Sequence, residues 1–169
     1  RAADIADVVI TSAGASVGDA DFVKDVLDEI GDVNFWKIAM KPGRPLSFGK
    51  VGNSLFFGLP GNPVSVMVTF YQFVLPALRQ LSGELAWAPL RLMARTQDRL
   101  KKRPGRTEFQ RAALFQEENG ELVVSTTGDQ GSGILSSMSQ ANCFVILPIE
   151  SAGAQPGDQV MVEPFAGLV

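Results

Sequence analysis

Histidine is absent from the 169 residues. That removes the usual proton carrier near neutral pH and any serine or cysteine triad that depends on one. The single cysteine, Cys143, excludes an internal disulfide. It lies in the apolar run Cys143-Phe144-Val145-Ile146-Leu147, where a buried free thiol is expected rather than a ligand or nucleophile. Net charge is also small: 18 acidic and 15 basic residues leave −3. A chain so balanced has no global basic field for nonspecific nucleic-acid binding, so no nucleic-acid partner is expected and any anion site must be local. An unbroken membrane-length apolar run is missing too. Val64 to Leu81 is interrupted by Ser65, Thr69, Gln72, Pro76, Arg79 and Gln80, and it reads as a buried helix rather than a membrane span. The opening Arg1-Ala2-Ala3-Asp4-Ile5 has neither a signal-peptide core nor an initiator methionine, which predicts a cytoplasmic protein seen as a fragment. Carboxylates, lysines, backbone donors or a bound metal are left to carry chemistry.

What is present is enough apolar residue for a sizeable core, 46% of the chain, in two different textures. Val8-Val9-Ile10 is a short apolar run that enters a glycine-rich loop and reads as a buried, parallel strand. Phe22, Val23, Val26, Leu27 and Ile30 then recur at helical spacing, with Gly31 placed to terminate the helix. Val33 to Met40 is extended. Leu46 to Val51 and Ser54 to Gly58 flank the turn pair Gly52-Asn53 and predict a hairpin. Pro63 sits in the first turn of the long helix to about Leu81, Pro76 should kink that helix, and Gly83 marks its end. From Leu90 onward come short alternating runs, at Leu90–Ala94, Thr107–Gln116, Leu122–Thr126, Cys143–Leu147 and Val160–Glu163, separated by turns such as Asn119-Gly120 and Pro156-Gly157-Asp158. Strands at that spacing predict a small barrel or sandwich. The expected organisation is an α/β domain over residues 1–85 and a β-rich domain over 86–169.

Several loops suit an anion. The stretch Ser12 to Asp21 joins a strand to a helix, where unpaired N–H groups and the helix dipole point outward, and Gly14 and Gly18 let a ligand approach the backbone. It is neither a dinucleotide fingerprint nor a P-loop, so a plain structural turn remains an alternative. Asp19 and Asp21 open the following helix either as caps or, facing phosphate, as holders of a Mg²⁺ ion that reconciles the charges. Lys37 and Lys41 lie four apart, on one face if the strand is continuous, beside the stiff Lys41-Pro42-Gly43-Arg44-Pro45 turn. Pro60-Gly61-Asn62-Pro63-Val64-Ser65 forms a second strand-to-helix junction, and two such junctions fit ligand binding beyond the carboxyl ends of strands. Lys101-Lys102-Arg103-Pro104-Gly105-Arg106 is a basic turn of the kind usually solvated, and Gly128 to Gly133 is a glycine-rich loop before Ile134–Met138.

Taken together, these loops resemble the C-terminal region of the molybdopterin molybdenumtransferases, the family that includes the gephyrin E domain. The likeness runs over essentially the whole chain. It rests on the ordered set Ser12 to Asp21, Lys37-Ile38-Ala39-Met40-Lys41-Pro42-Gly43-Arg44-Pro45, Gly58 to Ser65, Pro104-Gly105-Arg106 and Gly131-Ser132. The resemblance implies an α/β fold, a partial three-layer molybdopterin-binding-type domain followed by a small all-β barrel-like domain. It implies transfer of molybdenum from molybdate into adenylylated molybdopterin with release of AMP. By the same resemblance Asp21 is the catalytic carboxylate and, with Asp19, the metal holder. Ser12, Gly14, Ser16, Gly18, Pro60, Gly61, Asn62 and Pro63 hold the molybdopterin phosphate, and Lys41, Pro42, Ser65, Arg106 and Ser132 hold molybdate, supported by Lys37 and Arg44. The implied partners are a second copy of the full-length protein and an adenylyltransferase.

Two departures from the family pattern stand out. Ala13-Gly14 occupies the place of a glycine pair, which is costly if position 13 needs positive φ. The family's earlier region, expected to complete the site across a dimer, is not in this sequence, so the chain alone is expected to be inactive. A non-catalytic scaffold or peptide-docking module on the same fold, and a molybdopterin adenylyltransferase, are the alternatives. The appended barrel and the Pro60 to Pro63 loop speak against the latter.

Overall fold

The computed structural model describes residues 1–12, 26–27, 29, 31–84 and 86–165. The chain forms two compact units, one of Arg1–Ile38 with Pro42–Glu84 and one of Ala39–Lys41 with Leu85–Val169.

The first unit is built on a mixed sheet of β1 (Val8–Ser12), β2 (Gly31–Lys37), β4 (Pro45–Val51) and β5 (Ser54–Leu59), in the order β1-β5-β4-β2. β1 runs parallel to β5, and β4 pairs antiparallel with both β5 and β2. Val51 pairs with Ser54 across the two-residue turn Gly52-Asn53, as the hairpin signal predicts. The strand at Val8 is parallel but half-buried rather than fully covered: it is the edge of the sheet among the described residues, and Ile10 is exposed. Because side chains alternate along a strand, the sheet has two apolar faces. One carries Leu46, Phe57 and Leu59 against Val66, Phe70, Val74 and Leu78 of the long helix, and the other carries Val33 and Phe56 against Leu27. Residues 26, 27 and 29 are helical, so helices lie on both faces of the sheet.

Gly31 does not cap that preceding helix. It opens β2, where a Cβ would meet the Lys50 carbonyl oxygen at 2.2 Å, so the close approach of β4 rather than a helix stop explains the glycine.

The long helix α1 spans Pro63–Leu81 and continues through Pro76. A π-helical turn over Phe70–Val74 precedes the proline, with the Leu75 N–H donating to the Phe70 carbonyl, so the ring is accommodated in the first turn of a resumed α-helix, Leu75–Leu81. α1 is long and apolar enough by composition to span a bilayer, yet it lies against the sheet with Val64, Val68 and Val74 fully covered. It ends in a Schellman motif. Gly83 at φ 98 lets its own N–H reach the Gln80 carbonyl at 3.1 Å while the Glu84 N–H reaches the Arg79 carbonyl at 3.0 Å.

The second unit is a closed barrel. β6 (Leu92–Thr96), β8 (Thr107–Gln116), β9 (Leu122–Thr126), β10 (Cys143–Leu147) and β12 (Gln159–Pro164) follow the order β10-β12-β6-β9-β8, and β10 pairs with β8 to shut the ring. β3 (Met40–Lys41) adds parallel to the start of β8, and the short pair β7 (Leu100–Lys101) and β11 (Gly153–Ala154) stands beside the ring. Small inward residues fill the interior: Ala94, Ala112, Val124, Cys143, Val145, Val160 and Val162. Cys143 is buried as expected, donates to the Ala112 carbonyl at 3.3 Å, and has its thiol pKa pushed up by burial to about 12. A short helix α2 (Leu135–Ser139) follows the glycine-rich loop.

Candidate functional site

In the first unit the candidate positions gather where parallel strands stop. Ser12 is the last residue of β1 and is register partner to Leu59, the last of β5. The ends of β1 and β5 therefore stand side by side at the carboxyl edge of the parallel pair, where α/β sheets place ligands, and the turn Pro60-Gly61-Asn62-Pro63 leaves the sheet there. Pro63 occupies the first helical position of α1, and Asn62, with φ −72 and ψ 128, is its extended N-cap. The Asn62 carbonyl accepts the first helical bond, from Val66 at 2.9 Å. Pro60 is buried and Gly61, Asn62 and Pro63 are exposed, while Ser65 in the first turn is 4% exposed. Gly14, Ser16, Gly18, Asp19 and Asp21 lie outside the described residues.

The expectation that Lys37 and Lys41 share one strand face is overturned. β2 ends at Lys37, the Ile38 N–H turns to the Arg44 carbonyl at 2.8 Å, and Lys41 belongs to β3 in the other unit. Pro42 is buried and Arg44 exposed in the first unit.

In the second unit Lys41 and Arg106 come together. They line a basin of about 410 Å³ with Lys101, Lys102, Arg103 and Glu108. Five cations thus face one carboxylate, although the whole chain is net acidic. The pairing of Lys41 with Glu108 across β3 and β8 builds this arrangement, and Lys41 Nζ lies 3.0 Å from Glu108 Oε1. The basic turn is not simply solvated. Lys102 is 9% exposed, and its ammonium donates to the carbonyls of Arg103, Ile149 and Ser151 at 3.4, 3.2 and 2.8 Å. That ties the turn to the segment after β10. Lys101, Arg103 and Arg106 make no ion pair or hydrogen bond through their side chains among the described residues, so their charge is available to a ligand.

Ser132 is half-buried in the loop before α2, and that loop is held by a residue that sequence reasoning missed. Arg111, in the middle of β8, is 1% exposed. Its guanidinium donates to the carbonyls of Asp129, Gln130 and Gly131 at 2.9, 3.1 and 3.0 Å and to the Ser137 hydroxyl. Gln130 answers by bonding the Arg111 main chain in both directions, its Oε1 accepting from the N–H at 2.8 Å and its Nε2 donating to the carbonyl at 3.1 Å. Burial pushes the Arg111 pKa down, and the negative charge of Glu108 works against that. Glu108 was missed as well. The available signal was two charged side chains, Glu108 and Arg111, inside a strand that also carries Phe109, Ala112, Ala113 and Leu114, because such groups are buried only when partnered.

Comparison with known proteins bears on both units. Residues 1–80 match the family model described as "Probable molybdopterin binding domain", and residues 93–165 match that described as "MoeA C-terminal region (domain IV)". The chain is 48% identical over 165 residues to the molybdopterin molybdenumtransferase of Haemophilus influenzae, covering 97% of this chain and 41% of that protein. It is 37% identical over 183 residues to gephyrin of Dictyostelium discoideum, covering 91% of this chain and 25% of that one. Among solved structures, a molybdenum cofactor biosynthesis protein from Pyrococcus furiosus aligns with TM-score 0.72 at 27% identity, over 97% of this chain and 51% of that one. A molybdopterin biosynthesis MoeA protein from Pyrococcus horikosii aligns with TM-score 0.75 at 29% identity, over 97% and 38%. The chain spans about two fifths of the Haemophilus relative's length. With both units matched in order by these models and relatives, the chain belongs to the molybdopterin molybdenumtransferase family, as its C-terminal part.

Proposed function

We propose that the protein to which this chain belongs transfers molybdenum from molybdate into adenylylated molybdopterin, releasing AMP, and that this chain supplies the oxyanion site. The supporting observation is the cationic basin, in which Lys41 and Arg106, two of the five residues that the resemblance assigns to molybdate, meet within one unit. A tetrahedral dianion suits such a site, because N–H donors on charged groups bond its oxygens from several directions without a histidine. Arg106, Arg103 and Lys101 would take the oxygens directly, while Lys102 is occupied by main-chain carbonyls and adds only its field. Ser132 would approach from the loop pinned by Arg111. In the first unit, the Pro60–Pro63 turn and the strand end at Ser12 would cradle the phosphate of the molybdopterin ligand.

Asp21, with Asp19 beside it, would hold Mg²⁺, whose charge would polarise the phosphoanhydride. Both aspartates lie outside the described residues, and among the described residues no group of three or more His, Cys, Asp or Glu is gathered. Dimerisation of the intact protein, work alongside an adenylyltransferase and a cytoplasmic location complete the proposal.

The test is AMP release by the intact protein given adenylylated molybdopterin and graded molybdate. Arg106→Ala should raise the molybdate needed for half-maximal release by roughly ten- to a hundredfold, the scale of one hydrogen bond to a charged group. Asp21→Ala should depress release even at saturating molybdate. If both variants behave as wild type, the reading is wrong.

A further inference from the structure

The basin contains one group of the wrong sign. Glu108 is 5% exposed, and its Oε1 accepts from Lys41 Nζ at 3.0 Å and from Gln110 Nε2 at 3.2 Å. Gln110 is itself fixed, its Nε2 also donating to the Lys101 carbonyl at 2.9 Å, so the carboxylate is clamped rather than drifting. A buried carboxylate among five cations lowers the attraction that every one of them exerts on an incoming anion. It takes one of the three donors of the Lys41 ammonium. We propose that Glu108 is an affinity-setting and positioning residue of the oxyanion site: it fixes the Lys41 ammonium on β3, offsets one positive charge, and so keeps the oxyanion exchangeable instead of trapped. The inference rests on the oxyanion reading above and adds to it a reason for a carboxylate where only cations would give the tightest binding.

The two effects of Glu108 separate by substitution. Glu108→Gln keeps an acceptor oxygen for Lys41 and removes only the charge. Tungstate is the probe, with binding to the intact protein followed by titration calorimetry at low and moderate salt. Glu108→Gln should bind roughly threefold or more tightly than wild type, with a gain that shrinks as ionic strength rises. Lys41→Met should bind about tenfold or more weakly, because it leaves Glu108 bare beside the ligand. Adding Glu108→Gln to Lys41→Met should recover roughly threefold or more of that loss, and this comparison decides the matter if the single glutamine variant fails to fold. A fold defect does not tighten binding. Wild-type binding with no gain in Glu108→Gln, or no recovery in the double variant, overturns the role of Glu108 and leaves the oxyanion site standing. Absence of tungstate binding in wild type and Glu108→Gln alike overturns both.

Discussion

In the sheet unit, the candidate ligand positions stand where β1 and β5 stop and the main chain turns, at Ser12 and at Pro60 to Pro63. In the barrel unit they are long side chains reaching into a basin from β3, β7 and the turn before β8. The first arrangement fixes its geometry through backbone conformation, two prolines and a helix start. The second fixes it through charge, and it must then manage that charge with Glu108 and with the carbonyls that hold Lys102. A ligand contact made by main chain is hard to remove by one substitution, whereas a contact made by a cation disappears with the side chain. The two units should therefore respond to mutation on different scales.

The largest effect is expected inside the barrel unit. Arg111→Ala would strand three main-chain carbonyls and the Ser137 hydroxyl, all of them now bonded to one guanidinium. A loss of about 3 kcal/mol in unfolding free energy is expected, on the scale of removing several hydrogen bonds made by one buried charged group. Urea denaturation should show it, and proteolysis should find the 128–133 loop opened. A loss below about 1 kcal/mol would mean that the loop holds itself.

The direct contrast between units comes next. Pro63→Ala keeps the carbonyl of Asn62 as helix acceptor and changes mainly the freedom of the unfolded chain, so it should cost less than about 1 kcal/mol and alter ligand affinity little. Set beside the roughly ten- to hundredfold loss expected at Arg106, that near-neutrality marks a main-chain site. A large affinity loss on Pro63→Ala, read by fluorescence or calorimetry, would erase the distinction.

The last effect appears only in alkali and concerns Cys143. Its thiol is held neutral by burial, with a pKa pushed up to about 12 from an ordinary value of 9.0. Above pH 9 the unfolded chain loses the thiol proton while the folded one keeps it, so the folded state binds more protons and stability falls as pH rises between those values. Cys143→Ala should flatten that part of a stability–pH curve, and alkylation of the wild-type thiol at pH 8 should need unfolding first.

The local grammar of the chain was legible where one short-range signal sufficed. Gly52-Asn53 between alternating apolar runs announced the hairpin, Pro63 and Gly83 bracketed the long helix, and four of the five barrel strands fell within about a residue of their apolar runs. What escaped depended on partners far away in sequence. The continuous strand through Lys37 and Lys41 was a reasonable reading of Val33 to Met40, but Met40 and Lys41 pair with Thr107 and Glu108, and periodicity carries no information about a partner 67 positions on. Arg111 and Glu108 escaped for the same reason, since their carbonyl, lysine and amide partners come from other loops and strands. Gly31 misled because a glycine needed for close strand approach looks, in sequence, like one needed for a helix stop. Lys41 and Arg106 were singled out through the resemblance, and their gathering with the basic turn in one basin, across about 60 positions of sequence, was not legible.

Residues 39–41 count with the barrel although their neighbours on either side count with the sheet. A gene cut once, near codon 85, would thus deliver a barrel robbed of the strand beside β8 and of Lys41, with Glu108 left facing solvent or a stranger. Reconstituting the basin from parts would require supplying that three-residue splint separately, or grafting it by a new linker onto Thr107. For anyone dissecting the protein by truncation, a single cut near residue 85 follows the change of sequence texture but parts residues 39–41 from the unit they count with.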